Sequence, residues 1–446
     1  MLEFLNENIF GPILPAVLIL AGLVLTLKMR GSLLFHPIKI VRSLFSGDKN
    51  RSKGERSAFA AATLALAGTL GVGNITGVAV AITAGGAGAI FWMWLSAIAA
   101  MPVKYAEIAL SAYHKNSDLP GAASYISRAF GGRLRKFSRI IAKLFLLLCL
   151  LCSFSVGNIV QVSAAADAAK YVFSVPPLLT GIIFALVTYA VIRFGGSNGA
   201  NTFAMAVIPA LSAIYTVISV AIIITNAGQI PEIISDILSD AFTLSSAAGG
   251  ISGYAIIKFF RSPSVRFGTA RGIVSNEAGC GTSPFARDGS NTDSPSKQGF
   301  WGLYEVFADT LLLCSLTALV ILAAPSAPGL DGTDLVIHAY SSGLGRLGSI
   351  GGGFIALSVV IYAAASVVCW SHYGLSSISG LTKNRTIAAL YLIAYCGISV
   401  YGAIAADSVV WELADAAISA MTLLNTLCVV LLFTSKDADR SLFPNF

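Results

Sequence analysis

The sequence predicts an all-α polytopic membrane protein with eleven transmembrane helices. Of its 446 residues, 56% are hydrophobic and only 11% are charged, and the mean hydropathy is +0.78. Soluble domains carry about 25% charged residues, so the composition excludes an ordinary soluble protein. Apolar stretches long enough to cross a bilayer recur along the chain, and basic residues concentrate in alternate loops.

Hydropathy defines the candidate membrane spans. They are 9–28, 58–84, 88–111, 137–166, 178–193, 203–226, 247–267, 300–324, 350–374, 386–404 and 408–434. The first span lacks a small-residue cleavage site, so we expect it to stay in the membrane. Residues 1–57 then comprise this first helix and a basic amphipathic cytoplasmic segment, and residues 435–446 form a cytoplasmic tail.

The basic residues predict the orientation. If the N-terminus is outside and the C-terminus is cytoplasmic, every lysine and arginine except Lys170 and Arg346 falls on the cytoplasmic side. This count places the six basic residues from Lys258 to Lys297 inside. The positive-inside rule therefore favours a multi-pass protein of the plasma or inner membrane with an outside N-terminus.

A glycine-rich decapeptide, GTLGVGNITG at 68–77, interrupts the second apolar span. Glycine destabilises helices and allows close approach to the backbone. Irregular backbone at membrane depth is tolerated only where it is buried in protein or lines a cavity. The stretch therefore predicts either a helix broken around a ligand or a close helix-packing seam of small residues.

A second glycine cluster, AAGGISG at 247–253, opens the seventh span. It lies five spans after the first cluster, so the two glycine-rich spans cross the membrane in opposite directions. Interrupted helices in corresponding positions of two inverted halves indicate the binding site of a secondary transporter. We therefore predict two five-helix repeats, 58–226 and 247–434, preceded by one extra helix.

A broken helix offers two kinds of backbone chemistry. The half that begins after the break presents free N–H groups that suit a carboxylate. The half that ends presents carbonyl groups that suit Na⁺ or an ammonium group. Gly71 and Gly73 would let a ligand reach this backbone, and a site lined by glycine and alanine is narrow, so the anion should be small.

Polar residues inside other spans are further candidates, because they are expensive in hydrocarbon. Gln161 could hydrogen-bond a ligand or cross-link helices. Glu305 and Asp309, four residues apart on one helix face, could relay protons or pair with the basic loop. Trp370 could wall a substrate pocket or belong to the interfacial aromatic belt.

Other classes of function fit the sequence less well. A channel requires a continuous pore lined by rings of carbonyls or charges, whereas the pattern here is two separate glycine breaks. The sequence contains no HExxH motif and no paired-histidine motif, which disfavours an enzyme. We expect no nucleic-acid partner, and no cofactor beyond a coupling ion.

Motifs along most of the chain resemble those of the alanine or glycine:cation symporters, also called the sodium:alanine symporter family. The matching segments are GTLGVGNITGVAVAI (68–82), GGAGAIFWMWLSAIAAMPVKYAE (85–107), VGNIVQ (156–161), ARGIVSNEAGCGTSP (270–284), FADTLLLCSLTALVIL (307–322), CWSHYG (369–374) and WELADA (411–416). The resemblance implies a leucine-transporter-like five-plus-five fold and Na⁺-coupled uptake of small neutral amino acids, alanine or glycine above all.

The resemblance also suggests site residues. Substrate-binding residues would be Gly71, Val72, Gly73, Asn74, Gln161 and Trp370, with the carboxylate on the backbone of 71–73. The second glycine cluster adds Gly253 to this set. Ligands for Na⁺ would come from Ala67, Thr69, Leu70, Asn74 and Ser366. The SNEAG segment, 275–279, would be a cytoplasmic gate or a fold element. Ala365 stands where the family usually has a threonine, which leaves proton coupling, or another substrate such as serine or glutamine, as the alternative.

Overall fold

A computed structural model describes residues 1–45, 66, 68–115, 117–242, 259–287, 294–405, 407–435 and 438–444. Over these ranges the regular structure is entirely helical, with no β-strand. The main helices are α1 (Gly11–Lys28), α2 (Thr76–Gly85), α3 (Gly88–Tyr113), α4 (Arg135–Phe154), α5 (Val160–Phe173), α6 (Pro177–Ala190), α7 (Gly196–Thr225), α8 (Ile230–Ala241), α9 (Pro263–Asn276), α10 (Ser283–Arg287), α11 (Pro295–Val306), α12 (Ser315–Ala323), α13 (Gly332–Gly343), α14 (Gly348–Leu381), α15 (Arg385–Ile404) and α16 (Asp407–Thr434).

Nine helical segments within the described ranges are long and apolar enough to cross a membrane. They are Leu2–Lys28, Gly88–Tyr113, Arg135–Phe173, Pro177–Gly195, Val207–Thr225, Pro295–Ala323, Gly345–Leu381, Arg385–Ile404 and Trp411–Thr434. The predicted second span is described only from its glycine-rich part onward, as the short apolar helix α2. The predicted seventh span lies largely outside the described residues. The count of eleven spans remains a prediction.

The helices form two packed groups, each built around one long helix. In one group α3 packs along α1, α9 and α11; in the other α14 packs along α4, α5 and α13. Side chains between these helices are buried, whereas many large apolar side chains on the outer helices remain exposed, among them Leu27, Leu186, Val217, Ile224 and Ile393. An apolar exterior of this kind is stable in lipid.

Helices α4 and α5 form one long segment joined by a π-helical turn, Ser155–Ile159. Gly157 in this turn lies against Trp370 of α14, and a Cβ at position 157 would stand 2.2 Å from the indole Cγ. Only a residue without a side chain allows this approach. The π turn also frees the Val156 carbonyl, which accepts a hydrogen bond from Gln161 Nε2 at 3.1 Å.

The predicted sidedness is inconsistent in one respect, because an outside N-terminus and a cytoplasmic Arg266 cannot both hold. Arg266 Nη1 lies 3.0 Å from Glu7 Oε1, so Arg266 is on the same side of the membrane as the N-terminal segment. Arg271, also on α9, lines a cavity together with Glu3 and Glu7. Hydropathy ended the seventh span at 267, but α9 continues to Asn276 because the buried Arg271 guanidinium is neutralised by an ion pair with Asp415.

Candidate functional site

The chain leaves the helical conformation within GTLGVGNITG. Gly71 is extended, with φ −114° and ψ −156°; Val72–Asn74 forms one 3₁₀ turn, and the helix resumes at Thr76. The whole turn is buried. This arrangement is a broken helix and not a continuous packing seam. The stretch from Leu70 to Ile75 is called the unwound turn below.

Two polar side chains from other helices meet the start of the unwound turn. Gln161 Oε1 accepts a hydrogen bond from the Val72 N–H at 3.1 Å. Ser366 Oγ, from α14, donates to the Gly68 carbonyl at 3.3 Å. A Cβ at Gly71 would lie 2.6 Å from Ser366 Oγ and 2.7 Å from Gln161 Oε1. Gly71 therefore permits α5 and α14 to approach the same exposed piece of backbone.

The end of the unwound turn contacts a buried carboxylate. Asn74 Nδ2 donates to Asp309 Oδ1 at 2.7 Å and to the Asp309 carbonyl at 3.1 Å. Ser275 Oγ, near the end of α9, donates to the other carboxylate oxygen of Asp309. Thr317 Oγ1 donates to the Asn74 carbonyl at 2.7 Å. Asn74 and Asp309 thus join the unwound turn to α9 and to the segment that links α11 with α12.

One oxygen in this cluster has no hydrogen-bond partner among the described residues. Asn74 is 3% exposed, yet its Oδ1 accepts no hydrogen bond within the part of the chain that the structure describes. No lysine, arginine or histidine nitrogen among the same residues lies within 4.0 Å of the Asp309 carboxylate. An unpartnered buried polar atom is costly, and amide and carboxylate oxygens are suitable ligands for a hard cation. The cluster has the chemistry of a cation or proton site.

The second interruption lies at SNEAG. Helix α9 ends at Asn276, and Glu277, Gly279 and Gly281 all have positive φ before α10 begins. Trp370 Nε1 donates to Glu277 Oε1 at 3.1 Å. SNEAG is therefore buried beside the unwound turn, with Ser275 on Asp309. The sequence predicted SNEAG to be a gate or a fold element, and it did not predict this contact between Ser275 and Asp309.

Glu305 pairs with basic residues, which is one of the two alternatives that the sequence predicted. Its carboxylate binds Arg287 and lies 3.8 Å from Lys104 Nζ. Lys104 Nζ also donates to the Asn276 carbonyl at 2.9 Å. All of these side chains are buried. Glu305 thus has basic partners, whereas no basic nitrogen of the described residues lies within 4.0 Å of Asp309, four residues later.

A polar cavity of about 450 Å³ lies next to the unwound turn. Thr76, Val160 and Arg271 are among the residues that line it. Arg271 makes two hydrogen bonds to the Asp415 carboxylate, at 2.6 and 2.8 Å, and its guanidinium carbon lies 4.3 Å from the centre of the Trp411 ring. Thr76 and Thr333 are hydrogen-bonded at 2.8 Å.

The predicted site residues fall into several places. Gly71, Val72, Gln161 and Ser366 meet at the start of the unwound turn, and Gly73 packs on the Ser275 backbone. Asn74 points to Asp309. Thr69 Oγ1 bonds to the Leu66 carbonyl at 3.2 Å, and Leu70 is buried next to it. Ala67 and Gly253 lie outside the described residues.

Trp370 is completely buried and packs on the π turn and on Glu277. Its burial excludes the interfacial-belt alternative. Trp370 is also not among the residues that line the 450 Å³ cavity. Its predicted role as a substrate-binding residue stays a prediction.

A helical bundle that spans the membrane many times, with two interrupted helices meeting at a buried polar cluster, defines a secondary membrane transporter. The family model described as the sodium:alanine symporter family matches residues 1–440. The chain belongs to this family, as its motifs predicted.

Relatives and a solved structure agree with this assignment. The chain is 32% identical over 443 residues to the "Sodium/alanine symporter AgcS" of Methanococcus maripaludis, covering 97% of this chain and 94% of the relative. It is 31% identical to the "Probable sodium/glutamine symporter GlnT" of Bacillus subtilis, covering 97% and 90%. Its fold is similar to that of MhsT, solved in complex with L-phenylalanine, with a TM-score of 0.57, 13% identity and coverage of 85% and 89%. MhsT has a leucine-transporter-like fold, so that part of the fold prediction is confirmed.

Proposed function

We propose that the protein takes up small neutral amino acids, alanine or glycine, together with Na⁺ by alternating access. The observation that carries this proposal is the buried Asn74 and Asp309 cluster at the unwound turn. Within the described residues its amide oxygen lacks a hydrogen-bond partner, and no basic nitrogen lies within 4.0 Å of its carboxylate. The name of the AgcS relative supports the same pairing of ion and substrate.

The substrate carboxylate would bind the backbone amides of Gly71 to Gly73. The Val72 N–H already donates to the Gln161 amide oxygen. This oxygen occupies the position that a carboxylate oxygen would take, so Gln161 must move aside or share the site when substrate binds. Because Ser366 and Gln161 approach Gly71 closely, we expect the site to favour a substrate with a small side chain.

The coupling ion would bind at Asn74 Oδ1 and the Asp309 carboxylate. A second group of candidate ligands comprises the Ser366 hydroxyl and the Gly68 carbonyl, which lie close to the predicted Na⁺ ligands Thr69 and Leu70. A proton is the alternative coupling ion, favoured by the complete burial of Asp309 without an ion-pair partner in the described chain.

The topology belongs to the same proposal. The N-terminus would lie outside and the C-terminus in the cytoplasm, with repeats at 58–226 and 247–434 after the extra helix. The Glu7 and Arg266 contact fits an outside location for the start of α9. The 450 Å³ cavity would then open to the outside.

Uptake into proteoliposomes tests substrate and ion together. Labelled alanine, glycine, serine and glutamine are offered with an inward Na⁺ gradient or an inward proton gradient. We expect the Na⁺ gradient alone to drive accumulation of alanine and glycine, with empty liposomes as the control. Accumulation driven only by the proton gradient would contradict Na⁺ coupling, and accumulation of glutamine without alanine would contradict the substrate.

A further inference from the structure

The N-terminal segment, residues 2–10, is not part of the unwound site but lies over the cavity beside it. It consists of a helical turn, Leu2–Leu5, and a π turn, Asn6–Phe10, that leads into α1. Glu3, Asn6 and Glu7 line the cavity. The extra helix therefore contributes a wall to the cavity that leads towards the substrate site.

Two specific contacts attach this segment to the opposite walls. Glu7 Oε1 pairs with Arg266 Nη1 of α9 at 3.0 Å. Asn6 Nδ2 donates to the Glu412 carbonyl of α16 at 2.8 Å. The segment thus bridges α9 and α16 near the predicted outer end of the cavity.

Deeper in the cavity, the same two helices are joined directly. Arg271 of α9 binds Asp415 of α16 through two hydrogen bonds and lies over Trp411. Arg271 is 2% exposed and Asp415 17%, whereas Arg266 and Glu7 are 21% and 45% exposed. The inner pair is therefore shielded from salt, while the outer pair is open to it.

The two ion pairs offset part of the negative charge around the cavity. Among the described residues, seven carboxylates and two arginines line it. Both arginines are paired. Loss of either pair would leave additional negative charge facing the cavity, and the carboxylates on α16 and on the N-terminal segment would repel one another.

We propose that the N-terminal segment is a lid that sets how often α9 and α16 separate. When the Glu7 and Arg266 pair is made, α9 is held against α16 and the Arg271 and Asp415 pair stays closed. Because α9 ends with Ser275 on Asp309, opening of the lid also loosens the cation cluster. This proposal depends on the proposed function in one point: it assumes that the amino acid enters through the cavity.

A cysteine placed at Ala164 reports this opening. Ala164 is 4% exposed and lines the cavity. The rate at which a hydrophilic maleimide labels Ala164→Cys is measured on the purified protein without substrate, and labelling of the parent protein's own cysteines is subtracted. We expect Glu7→Gln to increase this rate about threefold, an order-of-magnitude figure for losing an exposed ion pair. High salt should raise the rate of the Ala164→Cys protein towards that of the Glu7→Gln variant.

Two further variants separate the ion pair from general packing. The charge-swapped double variant, Glu7→Arg with Arg266→Glu, should restore slow labelling, and Glu232→Gln, an exposed carboxylate on α8, should label at the starting rate. All of these substitutions are made in the Ala164→Cys protein. If Glu7→Gln does not change the rate at which the introduced cysteine is labelled, the proposal is overturned. It is also overturned if the charge-swapped variant is labelled as fast as the Glu7→Gln variant. Since no transport is measured, failure of the proposed substrate or ion would leave this result unaffected.

Discussion

Single residues were identified from sequence more reliably than their partners. Gly71 stood out because clustered glycines destabilise a helix, and Asn74 and Gln161 stood out because amide side chains are expensive in hydrocarbon. Their contacts were not predictable, since Asn74 meets Asp309 across 235 positions and Val72 meets Gln161 across 89. Only the fold brings these residues together.

Within the unwound turn, Gly71 is the glycine that leaves the least room for a side chain. Its replacement by alanine would put a Cβ within 2.7 Å of two side-chain oxygens. Overpacking of this kind costs about 1–3 kcal/mol. We therefore expect Gly71→Ala to abolish alanine uptake and to lower the free energy of unfolding by about that amount.

Gly397→Ala on α15 is the matched control, because nothing lies within 4 Å of a Cβ there. In a helix interior, alanine is about 1 kcal/mol more favourable than glycine, so this variant should be at least as stable as the wild type. Thermal unfolding and uptake are measured on both variants. Normal uptake by Gly71→Ala would contradict the close approach of Ser366 and Gln161.

At the scale of elements, two carboxylates in the segment from α11 to α12, Glu305 and Asp309, have different partners. The sequence offered both a proton relay and pairing with basic residues for Glu305 and Asp309. In the structure Glu305 pairs with Arg287 and Lys104, whereas Asp309 meets the unwound turn and α9. The i, i+4 spacing predicted that Glu305 and Asp309 share a helix face. Which side chain each carboxylate contacts depends on the neighbouring helix at that level of the membrane.

This difference predicts the behaviour of Glu305→Gln. Removing one partner of a buried ion pair leaves an uncompensated charge and costs about 3–5 kcal/mol. We expect Glu305→Gln to lose stability by that amount, because Arg287 and Lys104 would both remain buried. Unfolding in denaturant is compared with that of Asp236→Asn, an exposed carboxylate on α8, which should be near neutral. Wild-type stability of Glu305→Gln would contradict the assigned pairing.

The second helix break shows where prediction of elements failed. Hydropathy averages over a window, so it located the seventh span by its apolar residues and ended it at 267. The helix continues through Arg271, because an ion pair and an aromatic ring neutralise and cover the guanidinium. AAGGISG, which predicted the second break, lies outside the described residues, and the interruption that the structure does describe is at SNEAG.

At the scale of the whole molecule, composition and motifs were sufficient for the class and the family. Apolar spans follow from bilayer thickness, and the family motifs predicted a fold that the likeness to MhsT confirms. Sidedness was less secure, because charge counting treats every arginine as a solvated loop residue. Arg266 and Arg271 are paired within the protein and lie with the N-terminal segment.

The central claim is that a cation at Asn74 and Asp309 is coupled to amino-acid binding at the unwound turn. The most direct test measures the dissociation constant of alanine on the purified protein as Na⁺ replaces choline at constant ionic strength. We predict that Na⁺ tightens alanine binding to the wild type and to Asp236→Asn by about 5- to 150-fold, the usual range for coupled sites. Asp309→Asn, which keeps the shape but removes the charge, should bind alanine with no dependence on Na⁺. An unchanged Na⁺ dependence in a folded Asp309→Asn protein would contradict the claim.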